Sequence, residues 1–84
     1  TNPAHVDTRG WIAYRRGEFE RGVELLGQAV EAAPEAGELR YHLGMAQLAA
    51  GDEAAARENL QAALDSEQNF RGLDRAREAL DSLD

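Results

Sequence analysis

Apolar residues along the chain follow the spacing of amphipathic helices. Phe19, Val23, Leu26 and Val30 recur every three or four residues, which places them on one helical face. No stretch alternates apolar and polar residues as a half-buried strand would. The pattern therefore predicts an all-α chain of five helices. The predicted helices cover residues 3–16, 18–33, 36–50, 53–66 and about 70–83.

Residues with a strong preference for helix ends lie between these segments. Asn2 followed by proline favours a helix start, because Asn accepts hydrogen bonds from the free N–H groups and Pro at the first position loses none. Gly17 and Gly51 are suited to the left-handed conformation that ends a helix. Asp52 is a good cap for the following helix, and Pro34 closes the second helix.

Two segments of the chain repeat each other with a period of 34 residues. Gly10 corresponds to Gly44, Gly17 to Gly51 and Leu26 to Leu60. A fixed period of this size indicates a repeat array of helical hairpins. Further matched pairs are Glu18 with Asp52, Gly22 with Ala56, Ala29 with Ala63 and Val30 with Leu64.

On these residues the chain resembles the tetratricopeptide repeat family, whose pattern is Leu-Gly, then Ala, then Pro at fixed spacing. The matching positions are Leu43-Gly44, Gly51-Asp52, Ala56, Leu60 and Ala63 in one copy, and Gly10, Gly17-Glu18-Phe19, Leu26, Ala29 and Pro34 in the other. The resemblance implies an α-solenoid of antiparallel helix-turn-helix repeats. We expect one domain over residues 1–84, with repeat one at about 3–36, repeat two at about 37–68 and a capping helix at about 70–83.

Four residues depart from the family pattern. Arg40 stands where a bulky apolar residue is usual, Gln68 replaces the closing Pro, and Gly22 replaces the packing Ala. Arg9 stands at the position of the core Leu. A buried unpaired Arg would be costly, so we expect its guanidinium to reach solvent or a carboxylate, with the first helix tilted or less tightly docked.

The resemblance also implies a partner-binding surface, because such arrays bind partners on the concave face formed by the first helix of each repeat. Trp, Tyr, Met and Arg, which are enriched in interface cores, occupy several of these positions. The predicted partner-binding residues are Asp7, Trp11, Tyr14, Arg15, Glu38, Tyr41, Met45 and Leu48, with Ala49 beside them. Such a groove suits an amphipathic helix or an extended segment. Alternatively, Tyr14 and Leu48 pack against neighbouring helices, and Trp11 covers the exposed end of the array.

A known binding mode of the family grips a terminal carboxylate with Lys, Arg and Asn on this face. The corresponding positions here hold Asp7, Trp11, Tyr41 and Met45. Because the cationic clamp is absent, the sequence argues against an acidic C-terminal peptide as ligand.

Composition narrows the possible partners. The 84 residues carry a formal net charge of −7, with no Lys and no Cys. Such a charge repels nucleic acid and anionic membranes and favours a basic or apolar protein partner. No apolar run approaches the ~18 residues of a membrane span. The compartment is not determined, although the cytoplasm is slightly favoured, and the first residue being Thr1 suggests a piece of a longer chain.

Residues for chemistry are scarce. His5 and His42 are the two histidines, and neither has a second ligand at metal spacing, so both are interpreted as surface or packing residues. No triad order, phosphate loop or glycine fingerprint is present. We therefore expect no cofactor, no metal site and no enzymatic activity.

Two functional hypotheses remain open at this point. The first is an interaction scaffold that holds a partner peptide or helix in the concave groove. The second is structural: the same exposed residues join two copies into a homodimer, or join this segment to further repeats of a longer array.

Overall fold

The structure, a computed structural model, describes residues 2–83; Thr1 and Asp84 lie outside the described part. Over this range the chain forms five α-helices and no strand. They are α1 (Pro3–Arg15), α2 (Phe19–Ala32), α3 (Gly37–Ala49), α4 (Glu53–Asp65) and α5 (Leu73–Ser82). The all-α prediction is confirmed, and the first four helices begin and end within one residue of their predicted bounds.

Helix ends use the residues that the sequence indicated. The Asn2 side chain accepts a hydrogen bond from the Ala4 N–H at 2.8 Å, and Asp52 accepts one from the Ala55 N–H at 3.2 Å. The turns after α1 and α3 place Gly17 and Gly51 at φ values of 85° and 94°. Only glycine adopts this left-handed conformation at little cost.

The two helical hairpins are built in the same way. In α1–α2 a Cβ on Gly10 would lie 2.7 Å from Cγ of Leu26; in α3–α4 a Cβ on Gly44 would lie 2.8 Å from Cγ of Leu60. Both leucines are completely buried. Each glycine therefore allows a leucine of the other helix in the hairpin to pack directly on its backbone. The two glycines and the two leucines are each 34 residues apart, so the repeat in the sequence corresponds to a repeated packing contact.

Helix α1 is docked as well as its counterpart, contrary to the expectation from Arg9. It contacts α2 as extensively as α3 contacts α4. The reason is that Val6, Gly10 and Ala13 are the buried residues of its packing face, whereas Arg9 is exposed. The guanidinium therefore reaches solvent, as predicted, without loosening the helix.

Gln68, the residue in place of the closing proline, caps the start of α3. Its Oε1 accepts a hydrogen bond from the Gly37 N–H at 2.8 Å, and its Nε2 donates to the Glu35 carbonyl at 3.1 Å. The residue before α3, Ala36, has no side chain that could do this. A residue 31 positions away thus satisfies one of the free N–H groups of the helix.

Arg40, which stands where the family usually has a bulky apolar residue, forms hydrogen bonds with polar partners. Its Nε donates to the Pro34 carbonyl at 2.9 Å and its Nη1 donates to Oδ1 of Asn59 at 3.0 Å. Asn59 in turn donates to Oε1 of Gln47 at 2.8 Å. This network crosses from α3 to α4, so the charged residue is accommodated without an unpaired buried group.

Helix α5 starts three residues later than predicted. Gly72 has a φ of 100°, so the backbone makes a left-handed turn just before Leu73 and the helix begins there. From this point α5 packs on α3 and α4, and its Ala76 and Leu80 join the core cluster around Tyr41. The division into two repeats and a cap at the bounds given above stays a prediction.

Candidate partner-binding surface

Trp11 connects the two hairpins. Its indole stacks on the ring of Tyr14 with 4.7 Å between centroids and on the ring of His42 with 4.1 Å, at interplanar angles of 22° and 26°. Tyr14 belongs to α1 and His42 to α3, so one half-buried side chain contacts the first helix of each hairpin. The indole is therefore held by two stacked rings while part of its surface stays accessible.

Further aromatic rings extend this contact in both directions and form what we call the aromatic strip. Tyr14 lies 5.9 Å from Phe19, Trp11 lies 5.7 Å from Tyr41, and Tyr41 lies 5.8 Å from Phe70. Tilted and offset pairs at these distances each stabilise by roughly 0.5–1.5 kcal/mol beyond their burial. The strip runs from 37% exposure at Phe19 to 3% exposure at Tyr41. The solvent-accessible part of the strip therefore consists of Trp11 and Tyr14 of α1 and Phe19 at the start of α2.

Asp7, a predicted partner-binding residue, instead pairs with His42 inside the protein. Nδ1–H of His42 donates to the carboxylate, with 2.8 Å to Oδ1 and 3.0 Å to Oδ2, and both residues are buried. The pair links α1 to α3 and fixes the imidazole against Trp11. His42 is a packing residue, as the sequence suggested, and Asp7 is buried as its hydrogen-bond partner instead of lying on the accessible surface.

Tyr41, another predicted partner-binding residue, lies in the core because the segment before α5 covers it. The backbone of Gly72 packs on its ring so closely that a Cβ there would lie 2.5 Å from Cε2. Burial raises the pKa of the Tyr41 hydroxyl, and the positive charge of the nearby Arg75 guanidinium partly offsets this. The Tyr41 ring is therefore part of the core and not part of the accessible surface.

The other predicted residues are at least partly accessible. Arg15 and Glu38 are exposed; Tyr14, Met45 and Leu48 are half-buried. Met45 of α3 and Trp11 of α1 pack against the same core cluster. The accessible members of the predicted site, which we call the groove residues, are Trp11, Tyr14, Arg15, Glu38, Met45 and Leu48.

Two exposed apolar residues were missed as surface residues by the sequence reasoning. Ile12 is 50% exposed and Phe19 is 37% exposed. Phe19 lines a shallow cavity of about 500 Å³ between the turns of the two hairpins, together with Ala49 and Ala50. The exposure of Ile12 could have been inferred from its helical spacing with Arg9 and Arg16, which are both charged. The exposure of Phe19 could not, because its spacing places it on the apolar face of α2.

Within residues 2–83 no group of three or more His, Cys, Asp or Glu side chains is arranged to hold a metal ion. None of the helices in this range has the length and apolar character needed to cross a bilayer.

The fold and the repeated glycine–leucine packing define the protein as a helical-repeat solenoid. A family model described as tetratricopeptide repeat matches residues 8–70, which is most of the chain. The chain belongs to the tetratricopeptide repeat family. No match was found among the curated proteins or among the solved structures. Tetratricopeptide repeats generally mediate protein–protein interaction and are typically not enzymatic.

Proposed function

We propose that this chain binds a segment of a partner protein along the groove residues, mainly through apolar and aromatic contact. The observation that carries the proposal is the position of Trp11, which is half-buried, stacked on two other rings and in contact with both hairpins. A single aromatic anchor surrounded by less critical contacts is the usual energetic form of a protein interface.

The geometry favours binding because the anchor is already ordered. The Asp7–His42 pair and the Tyr14 ring hold the indole in place before a partner arrives. A partner then loses little of its binding energy to ordering this side chain, which elsewhere costs about 0.5–1.5 kcal/mol per residue.

The charges near the anchor indicate the character of the partner. Arg15 and Glu38 are exposed at the groove, and neither makes a side-chain hydrogen bond or ion pair within residues 2–83. The net charge of −7 adds a long-range attraction for basic segments. We therefore propose an apolar segment with basic flanking residues, whose apolar side chain covers the indole and whose chain continues past Tyr14 toward Phe19.

The test compares two neighbouring side chains of α1. Partner segments are selected by peptide display against the wild-type protein, and their dissociation constants are then measured for Trp11→Ala and for Ile12→Ala. We expect Trp11→Ala to lose more than about tenfold in affinity, the effect of ~1.4 kcal/mol, and Ile12→Ala to lose less than about twofold. Circular dichroism checks that both variants are folded. Equal affinities for the two variants would reject the groove.

Tyr41→Ala is not a suitable variant for this test. The ring is 3% exposed and packs against the core, and removing a buried aromatic side chain costs about 3–5 kcal/mol of stability. A loss of binding would therefore not distinguish a lost contact from a partly unfolded protein.

A second candidate function is structural: self-association, or packing against further repeats of a longer array. The exposure of Ile12 favours it, because a large apolar residue that is half accessible gains from burial. Sedimentation across a concentration series tests this function, and a mass that stays monomeric at every concentration would reject self-association.

A further inference from the structure

The outer face of α1 carries a row of exposed residues that we call the basic stripe: Arg9, Ile12 and Arg16. Their spacing of three and four residues places them on one side of the helix. The three side chains are exposed, although Arg9 and Arg16 each follow a buried residue of the packing face, Val6 and Ala13, at a spacing of three. Neither arginine side chain makes a hydrogen bond or an ion pair with any residue of the described chain. The two cations therefore flank the most exposed large apolar residue without a partner of their own.

The outer face of α5 carries a row of acidic residues, with the exposed Arg75 and Arg77 on either side of it. Its acidic stripe consists of Asp74, Glu78 and Asp81, which are all exposed and spaced by four and three residues. They point away from Ala76 and Leu80, the buried residues of this helix.

The acidic stripe is also almost unpaired. Asp74 has one ion pair, with Arg77 at 3.6 Å, and its side chain is 95% exposed. Pairs of this kind contribute little. The carboxylates are therefore available to an external cation.

We infer that the chain associates with a second copy of itself, head to tail, through the basic stripe of one copy and the acidic stripe of the next. This inference rests on the self-association candidate above and names its surface. In each stripe the outermost charges are seven residues apart, which is about 10.5 Å along a helix axis. Arg9 and Arg16 of one copy can therefore meet Asp74 and Asp81 of the other at the same time, with Ile12 covered between them.

The position of the stripes determines the kind of assembly. Helices α1 and α5 do not contact each other, and their stripes lie on the outer faces of the first and last helices. A contact between two different surfaces leaves one stripe free at each end of the pair. Association therefore continues beyond the dimer as the concentration rises, instead of stopping at a closed pair.

Salt and net charge set the strength of the contact. Exposed ion pairs weaken when the Debye length falls from about 30 Å at 0.01 M to about 3 Å at 1 M salt. The net charge of −7 on each copy opposes association. We therefore expect weak association, because the attraction between the two stripes is partly offset by the repulsion between the two net charges.

The experiment measures the weight-average mass of the purified protein by sedimentation equilibrium over a concentration series, at about 0.02 M and about 0.5 M salt. We expect the mass to rise with concentration at low salt and to approach the monomer mass at high salt. Two charge-reversal variants are compared with wild type: Arg9→Glu/Arg16→Glu at the head and Asp74→Arg/Asp81→Arg at the tail. Each should lower the association constant at least about tenfold, equivalent to ~1.4 kcal/mol.

A mixture of the two charge-reversal variants tests directly whether the two stripes contact each other. The reversed head of one variant is complementary to the reversed tail of the other, and the unchanged ends remain complementary too, so an equimolar mixture should recover association in which the two variants alternate. The control variants carry the same charge changes elsewhere on the surface: Arg21→Glu/Arg71→Glu and Glu24→Arg/Glu58→Arg. All these residues are exposed, and circular dichroism checks the fold of each variant.

Three results would overturn the inference. They are a monomeric wild type at low salt, association that the control variants lower as much as the stripe variants, and a mixture that fails to associate. None of these concerns the groove residues, so the groove proposal can stand when this inference fails. An unchanged association of Trp11→Ala at low salt would separate the two surfaces directly.

Discussion

Replacing Gly72 by alanine should specifically weaken the attachment of α5. The new Cβ would lie 2.5 Å from Cε2, 2.9 Å from Cζ and 3.0 Å from the hydroxyl oxygen of Tyr41. The Tyr41 ring is buried beneath this segment and cannot move away freely. In addition, the φ of 100° at Gly72 is unfavourable for any residue with a side chain.

The size of the effect follows from these two causes. A left-handed conformation costs a non-glycine residue about 1–2 kcal/mol. Inserting a methyl group into a filled site costs about 1–3 kcal/mol more. We therefore expect Gly72→Ala to lower the free energy of unfolding by about 2–5 kcal/mol, a large part of the ~5–15 kcal/mol typical of small domains.

Gly51→Ala is the matched control. Gly51 has a φ of 94°, similar to that of Gly72, but a Cβ there would meet nothing within 4 Å. It should therefore show the backbone cost alone, about 1–2 kcal/mol. Urea unfolding followed by circular dichroism measures both variants. If Gly72→Ala were no more destabilising than Gly51→Ala, the proposed packing of the Gly72 backbone on Tyr41 would be refuted.

Three further predictions concern single side chains. Gln68→Ala should cost about 1 kcal/mol in urea unfolding, because the Gly37 N–H loses its capping oxygen; an unchanged midpoint would contradict this. Asp7→Ala should cost about 1–3 kcal/mol, because the buried His42 Nδ1–H loses its acceptor; a loss below about 0.5 kcal/mol would contradict that estimate. The raised pKa of Tyr41 means that the folded state keeps the phenolic proton when the unfolded state, titrating near 10.0, has lost it. Stability should therefore fall as the pH rises above about 10, and Tyr41→Phe should reduce this fall; identical pH profiles would count against it.

The sequence predicted most of the fold because its signals are local. Gly17, Gly51 and Asp52 end and start helices through their own backbone and side-chain chemistry, and the spacing of apolar residues identifies the packed faces. The period of 34 residues also indicated two copies of one unit, and the structure packs Gly10 on Leu26 in the same way as Gly44 on Leu60.

The site was less predictable because it depends on contacts between distant residues. Nothing near Tyr41 in the sequence shows that Gly72 will fold back onto its ring, 31 positions later. Asp7 pairs with His42 across 35 positions. Aromatic and polar residues serve equally well in a core and at an interface, so residue type alone could not separate the two roles.

The start of α5 was misplaced for a similar reason. Phe70 looks like the first apolar residue of a helical pattern, yet its ring packs on Tyr41 before the helix begins. The left-handed turn at Gly72 then sets the start at Leu73. A glycine can end one segment or precede another, and the spacing of apolar residues does not reveal which.

The most direct test of the proposed function uses the single tryptophan of the chain. Because Trp11 is the only Trp, the protein gives one indole N–H signal in a proton–nitrogen correlation spectrum. A partner segment selected by display is titrated against labelled protein. The account predicts that the indole signal and the amides of Tyr14 and Met45 shift together, and that they saturate with the same dissociation constant. Saturable binding that leaves the indole signal in place would contradict it.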